Sequence, residues 1–320
     1  MEMRPIGSTG VAITPLGFGT SALGDMPDTY GYAVSEDRAR ATLARLFEGP
    51  VNMIDSSRLY GFGRSEERIG AAIRANGGLP DGMVLSTKLD RDLDTGRFDA
   101  AQARKSLEES LEALGIDRIP ILHLHDPEHA RDLDEIRNKG GALDELFRMK
   151  EEGLVDAVGL AMGRLDIMEP LVDDWAFDVL ISHNRYTIIN RSADRLFSAA
   201  HARGIAIINA APFAGGIFAK GSNATQKVSY TDMDDEGLAP VRAVEVLCAD
   251  MGVEPGAAAL QFSMRDPRIT STLVGVSRPE RIDQNLAWAE AEIPEGFWDA
   301  LAEVPFSTED PEANRVYNAG

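Results

Sequence analysis

Four polar side chains suited to proton transfer lie at or just after the ends of three successive apolar segments: Asp55, Tyr60, Lys88 and His125. A tyrosine phenol, with an ordinary pKa of about 10, is a weak acid and a weak base near neutral pH. A neighbouring ammonium would lower this pKa, and a depression of about two units requires about 2.7 kcal/mol of differential interaction. Asp55 would hold and neutralise Lys88, and His125 would orient a carbonyl or hydroxyl. The set fits the interconversion of an alcohol and a carbonyl.

Each of these residues also has an ordinary structural interpretation when it is taken alone. Asp55 fits a turn at a strand end, Tyr60 fits packing at a rim, and His125 fits a hydrogen-bonded core histidine. Lys88 is harder to explain in this way, because a lysine inside an apolar strand needs a partner. Taken together, the four residues favour the catalytic interpretation.

The segments that carry these residues alternate in type along the chain. Eight apolar runs are typical of buried strands: 16–20, 51–56, 83–88, 119–125, 156–162, 178–184, 206–212 and 270–276. Helical patterns separate and follow them: 35–48, 65–75, 99–114, 141–152, 164–174, 193–203, 237–251 and 278–291, with extra helices near 254–264 and 294–304. This order predicts an α/β fold, a (β/α)8 TIM barrel with extra C-terminal helices. We expect one domain over residues 1–320, opened by a β-hairpin over residues 4–15.

Three connections are longer than a compact barrel requires: 21–34, 126–139 and 217–236. They follow the first, fourth and seventh predicted strands, so they belong to the face on which barrel active sites are built. Their acidic residues suit a polyhydroxylated neutral ligand, or else are solvated loop charges: Asp25, Asp28, Asp132, Asp134 and Asp234. The segment after Val304 has no periodicity and is either a further rim element or disordered.

Composition excludes several classes of function. The chain has 320 residues, with 32 Lys and Arg against 52 Asp and Glu, and a net charge of −20. This charge repels nucleic acid and anionic lipid, so we expect neither as a partner. The single cysteine, Cys248, and the lack of a signal-peptide pattern or a membrane-spanning apolar run predict a cytoplasmic protein. We expect a monomer or a weak homo-oligomer.

The chain resembles the aldo-keto reductase family along nearly its whole length. The resemblance is carried by IDSSRLYGFGRSEERIG (54–70), LSTKL (85–89), SLEESLEALGIDRIPILHLHDPE (106–128) and GVSRPERIDQN (275–285). It implies that Tyr60 is the general acid or base and that Lys88 lowers its pKa. Asp55 would pair with Lys88, and His125 would position the substrate oxygen. It also implies a nicotinamide cofactor, NAD or NADP, extended across the open end of the barrel.

Further segments resemble the aldose 1-dehydrogenase branch of that family. They are NRYTIINRSA (184–193), INAAPFAGGIFA (208–219) and AALQFSMRDPRITSTLVGVSRPE (258–280). The branch contains D-threo-aldose, L-fucose and L-galactose dehydrogenases, with pyridoxal 4-dehydrogenase as a relative, and its members oxidise a cyclic hemiacetal carbon to a lactone. The resemblance therefore implies NAD(P)-dependent oxidation of an aldose at C1. NADPH-dependent reduction of small aldehydes and oxidation of pyridoxal are the alternatives.

The adenosine end of the cofactor is expected at GVSRPERIDQN, which opens a helix after the last strand, where backbone N–H groups favour a phosphate. The resemblance assigns six residues to it: Gly275, Ser277, Arg278, Arg281, Gln284 and Asn285. Arg281 would face the 2′-phosphate or the adenine, although both arginines also fit a solvated helix face. Many NADPH-dependent members carry a lysine where Gly275 stands, so the sequence favours NAD, with NADP tolerated.

The nicotinamide end departs further from the family pattern. Ala161 and Met162 replace a Ser-Asn pair, and Ala210 stands where a stacking tyrosine is usual. His183 and Asn184 are the candidates for the carboxamide contact. Backbone amides of the loop after the seventh strand would wrap the pyrophosphate at Phe213, Ala214 and Gly216. Gly19 and Thr20 would lie under the nicotinamide.

Three rival interpretations remain. GFGTSA (17–22) matches a dinucleotide fingerprint, but the glycine and proline that follow do not begin a helix. His123 and His125 lie on one face of a strand, as metal ligands would, although we expect no metal because the distant ligands of a barrel hydrolase are missing. The third is a non-catalytic, cofactor-sensing regulator.

Overall fold

The strands of the computed structural model, which describes residues 1–313, follow the predicted order. In chain order they are β1 (Arg4–Pro5), β2 (Ala12–Ile13), β3 (Leu16–Gly19), β4 (Met53–Asp55), β5 (Val84–Leu89), β6 (Ile119–His125), β7 (Val155–Met162), β8 (Val179–His183), β9 (Ala206–Ala210), β10 (Lys227–Val228), β11 (Thr231–Asp232) and β12 (Ser271–Gly275). Strands β3 to β9 and β12 are parallel and close into a barrel, in which β12 pairs with both β9 and β3. The predicted (β/α)8 barrel is confirmed.

The predicted helices also match the structure, within two residues at each end. They are α1 (Pro27–Tyr30), α2 (Glu36–Phe47), α3 (Arg64–Asn76), α4 (Ala100–Leu114), α5 (Asp134–Arg137), α6 (Ala142–Glu151), α7 (Leu165–Asp174), α8 (Asp194–Ala202), α9 (Ile217–Lys220), α10 (Ala239–Met251), α11 (Pro255–Met264), α12 (Pro279–Glu290) and α13 (Glu295–Ala302). The sequence missed α1, α5, α9 and the hairpin β10–β11, because single turns and two-residue strands show no periodicity. These short elements lie in the three long connections, at the carboxyl ends of the strands.

Local sequence signals explain where the main helices begin and end. The Ser35 side chain accepts a hydrogen bond from the Arg38 amide, and Asp99 accepts one from the Gln102 amide, so that both act as N-caps. Helix α4 ends at Gly115, whose φ of 69° is left-handed. No helix among residues 1–313 is long and apolar enough to cross a membrane.

The predicted N-terminal hairpin closes the amino end of the barrel. Strands β1 and β2 pair antiparallel, with Arg4 opposite Ile13. Ile6 and Ile13 are fully buried and pack in one cluster with barrel side chains such as Met53 and Ile121. Ligands therefore have access to the barrel from its carboxyl end, which we call the barrel mouth.

The C-terminal segment, residues 306–313, lies on the rim of the barrel mouth. Asn190 pairs with Ser307 and donates from its side chain to the Glu309 carbonyl, at 2.8 Å. The Arg191 guanidinium lies 3.8 Å from the centre of the Phe306 ring. The rim interpretation therefore holds for this part of the tail, and residues 314–320 lie outside the described part of the chain.

Candidate active site

The four residues singled out by type and spacing come together at the barrel mouth. Lys88 Nζ, on β5, lies 2.6 Å from Asp55 Oδ2 at the end of β4, and both side chains are only 2% exposed. Lys88 Nζ lies 4.7 Å from the centre of the Tyr60 ring. The Tyr60 and His125 rings meet edge to face, with their centres 5.9 Å apart. Adjacent parallel strands thus bring together residues that are up to 70 positions apart.

The loop that carries Tyr60 is positioned by a close backbone contact between two glycines. Gly61 has a φ of 63°, and a Cβ placed there would lie 1.9 Å from the Gly24 carbonyl oxygen. A Cβ on Gly24 would in turn lie 2.7 Å from the Tyr60 carbonyl carbon. Only glycine at both positions permits this approach, which holds Tyr60 against the turn after β3.

A buried hydrogen-bond chain continues from Asp55 into the barrel. Ser86 Oγ donates to Asp55 Oδ1 at 2.9 Å and lies 3.3 Å from His123 Nδ1. Since Ser86 has one proton and donates it to the carboxylate, His123 is the donor to Ser86. Burial and the Lys88 ammonium hold the pKa of His123 well below its ordinary value, so this imidazole is neutral. His123 is therefore an interior polar residue that orients Ser86 and Asp55.

The surroundings of Tyr60 decide the direction of its pKa. Burial of the phenol, followed by the charge of Asp55, raises the pKa of Tyr60 well above 10. The Lys88 ammonium lies against the Tyr60 ring, but Asp55 is closer to that ammonium and balances its charge. Tyr60 is therefore a neutral phenol at neutral pH, and the role of Lys88 in lowering its pKa stays a prediction.

Asp90 contacts the predicted site residue His125, and nothing in the sequence pattern singled it out. Its Oδ1 lies 2.5 Å from His125 Nδ1, and both side chains are buried. Burial alone would lower the pKa of His125, but the carboxylates of Asp126 and Asp90 outweigh it and raise that pKa. The available signal was an acidic residue two positions after Lys88, where the apolar run ends.

A cavity of about 580 Å³ opens at the barrel mouth beside His125. Its lining comes from the ends of β6, β7 and β8 and from the C-terminal segment: Asp126, Glu128, His129, Gly163, Arg164, Leu165, Asp166, His183, Arg185, Asp310, Glu312 and Ala313. Asp126 joins the cavity to the four predicted site residues, since its Oδ2 lies 3.6 Å from His125 Nε2. Glu128 accepts the Gly163 amide, while its buried Oε2 has no hydrogen-bond partner within residues 1–313.

The acidic loop residues proposed for substrate lie elsewhere. Asp25 accepts the Val34 amide, Asp132 accepts the Asp134 amide, and Asp234 accepts the Gly237 amide. Asp134 pairs with Arg137, and none of these residues nor Asp28 lines the cavity. The interpretation as local loop charges is the better one, because short acidic side chains bond readily to nearby backbone. The cavity takes its carboxylates from other residues.

The adenosine-end residues surround the N-terminus of α12. Arg278 and Arg281 form no ion pair within the described part of the chain, and Arg281 donates to Gln284. Asn285 donates to the Arg281 carbonyl, leaving its buried Oδ1 without a partner in residues 1–313. Two unpaired cations suit a phosphate, and the orphaned oxygen suits the adenine amine, so these residues fit the cofactor. Gly275 and Ser277 lie just before the helix, and Gly275 is exposed.

The nicotinamide-end residues contact the C-terminal segment. Glu312 accepts from Asn184 at 2.9 Å, lies 3.2 Å from His183 Nε2 and pairs with Arg185 at 3.3 Å. Asn184 Oδ1 is buried without a partner in the described residues, so it can still accept from a carboxamide amine.

The other predicted cofactor contacts lie at the ends of β3 and β9. Gly19 ends β3, and the Thr20 hydroxyl bonds to the Asp55 carbonyl and to Ser65. In the loop after β9, Ala214 and Gly216 have φ values of 48° and 96°, while Phe213 packs on Trp288. Left-handed backbone of this kind forms the concave turns that present amides to phosphate.

The two other binding motifs are explained by the fold. GFGTSA (17–22) leads from β3 into a single 3₁₀ turn, Ser21–Gly24, within a closed barrel, so it is not a Rossmann fingerprint. His123 Nδ1 is directed to Ser86 and His125 Nδ1 to Asp90. Within residues 1–313, no three His, Cys, Asp or Glu side chains converge on a possible metal position.

Comparisons with known proteins agree with this geometry. The profile of the Aldo/keto reductase family matches residues 15–305. The pyridoxal 4-dehydrogenase of Microbacterium luteolum is 29% identical, over 94% of this chain and 96% of its own. The D-threo-aldose 1-dehydrogenase of a Pseudomonas species is 30% identical, over 93% and 95%. A holo aldo-keto reductase from Bacillus halodurans, 18% identical, has the same fold, with a TM-score of 0.78 over 99% of this chain and all of its own. The chain therefore belongs to the aldo/keto reductase family.

Proposed function

We propose that the protein is an NAD(P)-dependent dehydrogenase that oxidises the anomeric carbon of an aldose to a lactone. The observation that carries the proposal is the convergence of Tyr60, Lys88, Asp55 and His125 beside a polar cavity at the barrel mouth. Aldo/keto reductases use NAD(P)H, and relatives about 30% identical over most of the chain are named as aldose and pyridoxal dehydrogenases.

In the proposed reaction, the bound nicotinamide supplies the acceptor for the hydride that leaves the anomeric carbon. Tyr60 first loses its phenol proton to solvent. The phenolate Oη then takes the proton of the anomeric hydroxyl, whose oxygen becomes the lactone carbonyl. Lys88 offsets the negative charge that Tyr60 carries as the base, and Asp55 holds Lys88 in place. His125 donates from Nε2 to the same oxygen and orients it. In the reverse direction, Tyr60 returns the proton to the carbonyl oxygen.

The cavity lining supports a substrate with several hydroxyl groups. Asp126 and Glu128 present carboxylates on the His125 side, and Glu128 Oε2 is a buried acceptor with no donor in the described residues. A sugar hydroxyl would supply that donor, whereas an anionic substituent would be repelled by the pair. Burial and the Asp126 charge raise the pKa of Glu128, as expected for a buried carboxyl close to a second carboxylate.

We propose NAD as the preferred cofactor, with NADP tolerated. Arg278, Arg281, Gln284 and Asn285 would hold the adenosine part, and Asn184 the carboxamide. Gly275 presents no side chain at the position where many NADPH-dependent relatives carry lysine, which leaves two arginines for a 2′-phosphate. The neighbouring Asp283 pairs with Arg45 at 2.6 Å and leaves both arginines available.

The test is absorbance at 340 nm with NAD and then NADP, in the presence of L-fucose, L-galactose, D-arabinose or pyridoxal. We expect reduction of NAD with at least one sugar and a slower reaction with NADP. Turnover of pyridoxal alone would assign the same chemistry to a different substrate. Oxidation of NADPH by simple aldehydes, without any sugar reaction, would contradict the proposal, and tight cofactor binding without turnover would point to a regulator.

A further inference from the structure

Asp90 and His125 form a buried acid–imidazole pair inside the proposed active site. Their closest atoms, Oδ1 and Nδ1, are 2.5 Å apart, and the side chains are 6% and 7% exposed. At this distance and burial, the contact is a charge-assisted hydrogen bond with its proton on the imidazole nitrogen. The opposite ring nitrogen, Nε2, is then the one that can act on a substrate.

The carboxylate of Asp90 is held independently of His125. Its Oδ2 accepts from Ser57 Oγ at 2.7 Å and from the Leu59 amide at 2.9 Å. Its backbone is fixed from α4, because the Asp90 amide donates to Ser106 Oγ and the Asp90 carbonyl accepts from Gln102. These bonds fix the orientation of the Asp90 carboxylate without any contribution from His125. This is expected of a residue that positions another.

The charges around His125 come from three parts of the barrel mouth. Asp90 and Lys88 belong to β5 and the residues after it, and Asp126 follows His125 directly, with Oδ2 at 3.6 Å from Nε2. On the β4 side, Asp55 pairs with Lys88 and Tyr60 contributes a neutral phenol, while the neutral His123 lies below on β6 itself. Lys88 and Asp55 offset each other, so two carboxylates remain to face the imidazole.

We propose that Asp90 is the positioning residue of His125, holding its imidazole as a cation that donates from Nε2 to the substrate oxygen. The proposal rests on the proposed function only for the identity of that oxygen. A cationic His125 stabilises negative charge on the oxygen during hydride transfer, in addition to orienting it. With Asp90 replaced, Asp126 would be the one carboxylate of the two still facing the imidazole, so its pKa would fall, and Nδ1 would lose the acceptor that fixes the ring and its tautomer.

The direct test is an NMR titration of the imidazole, which requires no substrate. The chain has five histidines, so the His125 signals can be assigned with a His125→Gln variant. In the native protein we expect both ring nitrogens of His125 to be protonated at neutral pH. In Asp90→Asn we expect the midpoint to fall by about one to three pH units, because an opposite charge in contact is lost. Asp92→Asn is the matched control in the same loop, since Asp92 bonds locally to Thr95.

A kinetic test separates positioning from a loss of folding. In the direction of carbonyl reduction, we expect kcat/KM of Asp90→Asn to fall about tenfold or more near pH 7.5 and to approach the native value near pH 5.5, where the imidazole is protonated again. A merely structural defect would lower activity at every pH.

Three results would overturn the proposal. One is a native His125 that is neutral at neutral pH, which needs no variant to be observed. Another is a midpoint in Asp90→Asn equal to that in Asp92→Asn, and the third is an equal loss of kcat/KM across the pH range. Absence of turnover with every substrate would refute the proposed function but would leave the NMR result to decide the role of Asp90.

Discussion

At the scale of single residues, the environment of Tyr60 sets the direction in which the site is ready to act. The phenol is half-buried beside Asp55, and the Lys88 ammonium is paired with that carboxylate. A neutral phenol donates a proton to a carbonyl at once, whereas oxidation requires it to be deprotonated first. The two directions of the reaction therefore depend on pH in opposite ways.

This pH dependence is measurable in initial rates. Because the pKa of Tyr60 is raised, the phenolate fraction is small at neutral pH and grows as the pH rises towards that pKa. We expect the rate of sugar oxidation to increase with pH from neutral into the alkaline range, and the rate of carbonyl reduction not to increase. An oxidation rate that is constant or falls between about pH 7 and pH 9.5 would show that Tyr60 is not the base.

Removal of the Tyr60 hydroxyl tests its role as proton carrier. In Tyr60→Phe we expect kcat to fall by about 10² to 10⁴ in both directions, the range for loss of a general acid or base. The ring still packs against His125 and Lys88, so the dissociation constant of the cofactor, measured by fluorescence quenching, should change little. Retained turnover in the phenylalanine variant would assign proton transfer to another group.

At the scale of elements, strand ends and helix starts supply the binding groups. Helix α12 brings Arg278 and Arg281 next to the end of β12, while α7 begins with two amides bound to Glu128. The C-terminal segment adds Glu312 to the ends of β8 and contacts the residues predicted to hold the carboxamide. Cofactor choice and substrate fit are therefore properties of neighbouring element ends.

The end of β12 allows the cofactor preference to be altered at one position. A Cβ on Gly275 would meet no atom within 4 Å, so a side chain can be added there without strain. In Gly275→Lys we expect the ratio of kcat/KM for NADP to that for NAD to rise about tenfold, the effect of about 1.4 kcal/mol from one new charged contact. Gly275→Met adds a side chain of similar length without charge and should leave the ratio unchanged. An equal shift in both variants would rule out an electrostatic cause.

At the scale of the whole molecule, the two ends of the barrel have separate tasks. The hairpin of β1 and β2 seals the amino end with Ile6 and Ile13, and the chemistry lies at the other end. Stability and activity should therefore respond to different substitutions. This separation is typical of TIM barrels, whose active sites lie at the carboxyl ends of the strands.

A substitution in the hairpin tests this separation. Ile13 is 0% exposed, so Ile13→Ala should lower the free energy of unfolding in urea by about 2 to 5 kcal/mol. We expect kcat of the folded variant to be native, because the cavity lies at the far end of the barrel. Val246→Ala, at a 60% exposed position, should change stability by about 0.5 kcal/mol or less. A large loss of kcat in Ile13→Ala would show that the two ends are coupled.

Apolar periodicity and residue spacing were enough to predict the eight strands, the main helices and the four residues proposed for proton transfer. Apolar periodicity is a local property, and the rule that parallel strand ends share one face of a barrel converts it into proximity of Asp55, Lys88 and His125. The single-turn helices in the loops were not predicted, because they are too short to show an apolar period.

Three features depend on contacts between distant parts of the chain: the partner of His125, the contact of His183 and Asn184 with the C-terminal segment, and the direction of the Tyr60 pKa. Asp90 is 35 positions from His125, and Glu312 is 128 positions from Asn184. No local pattern encodes such contacts. A pKa depends on burial and on every nearby charge, so Lys88, visible in the sequence, could not by itself fix the pKa of Tyr60, which burial and Asp55 raise.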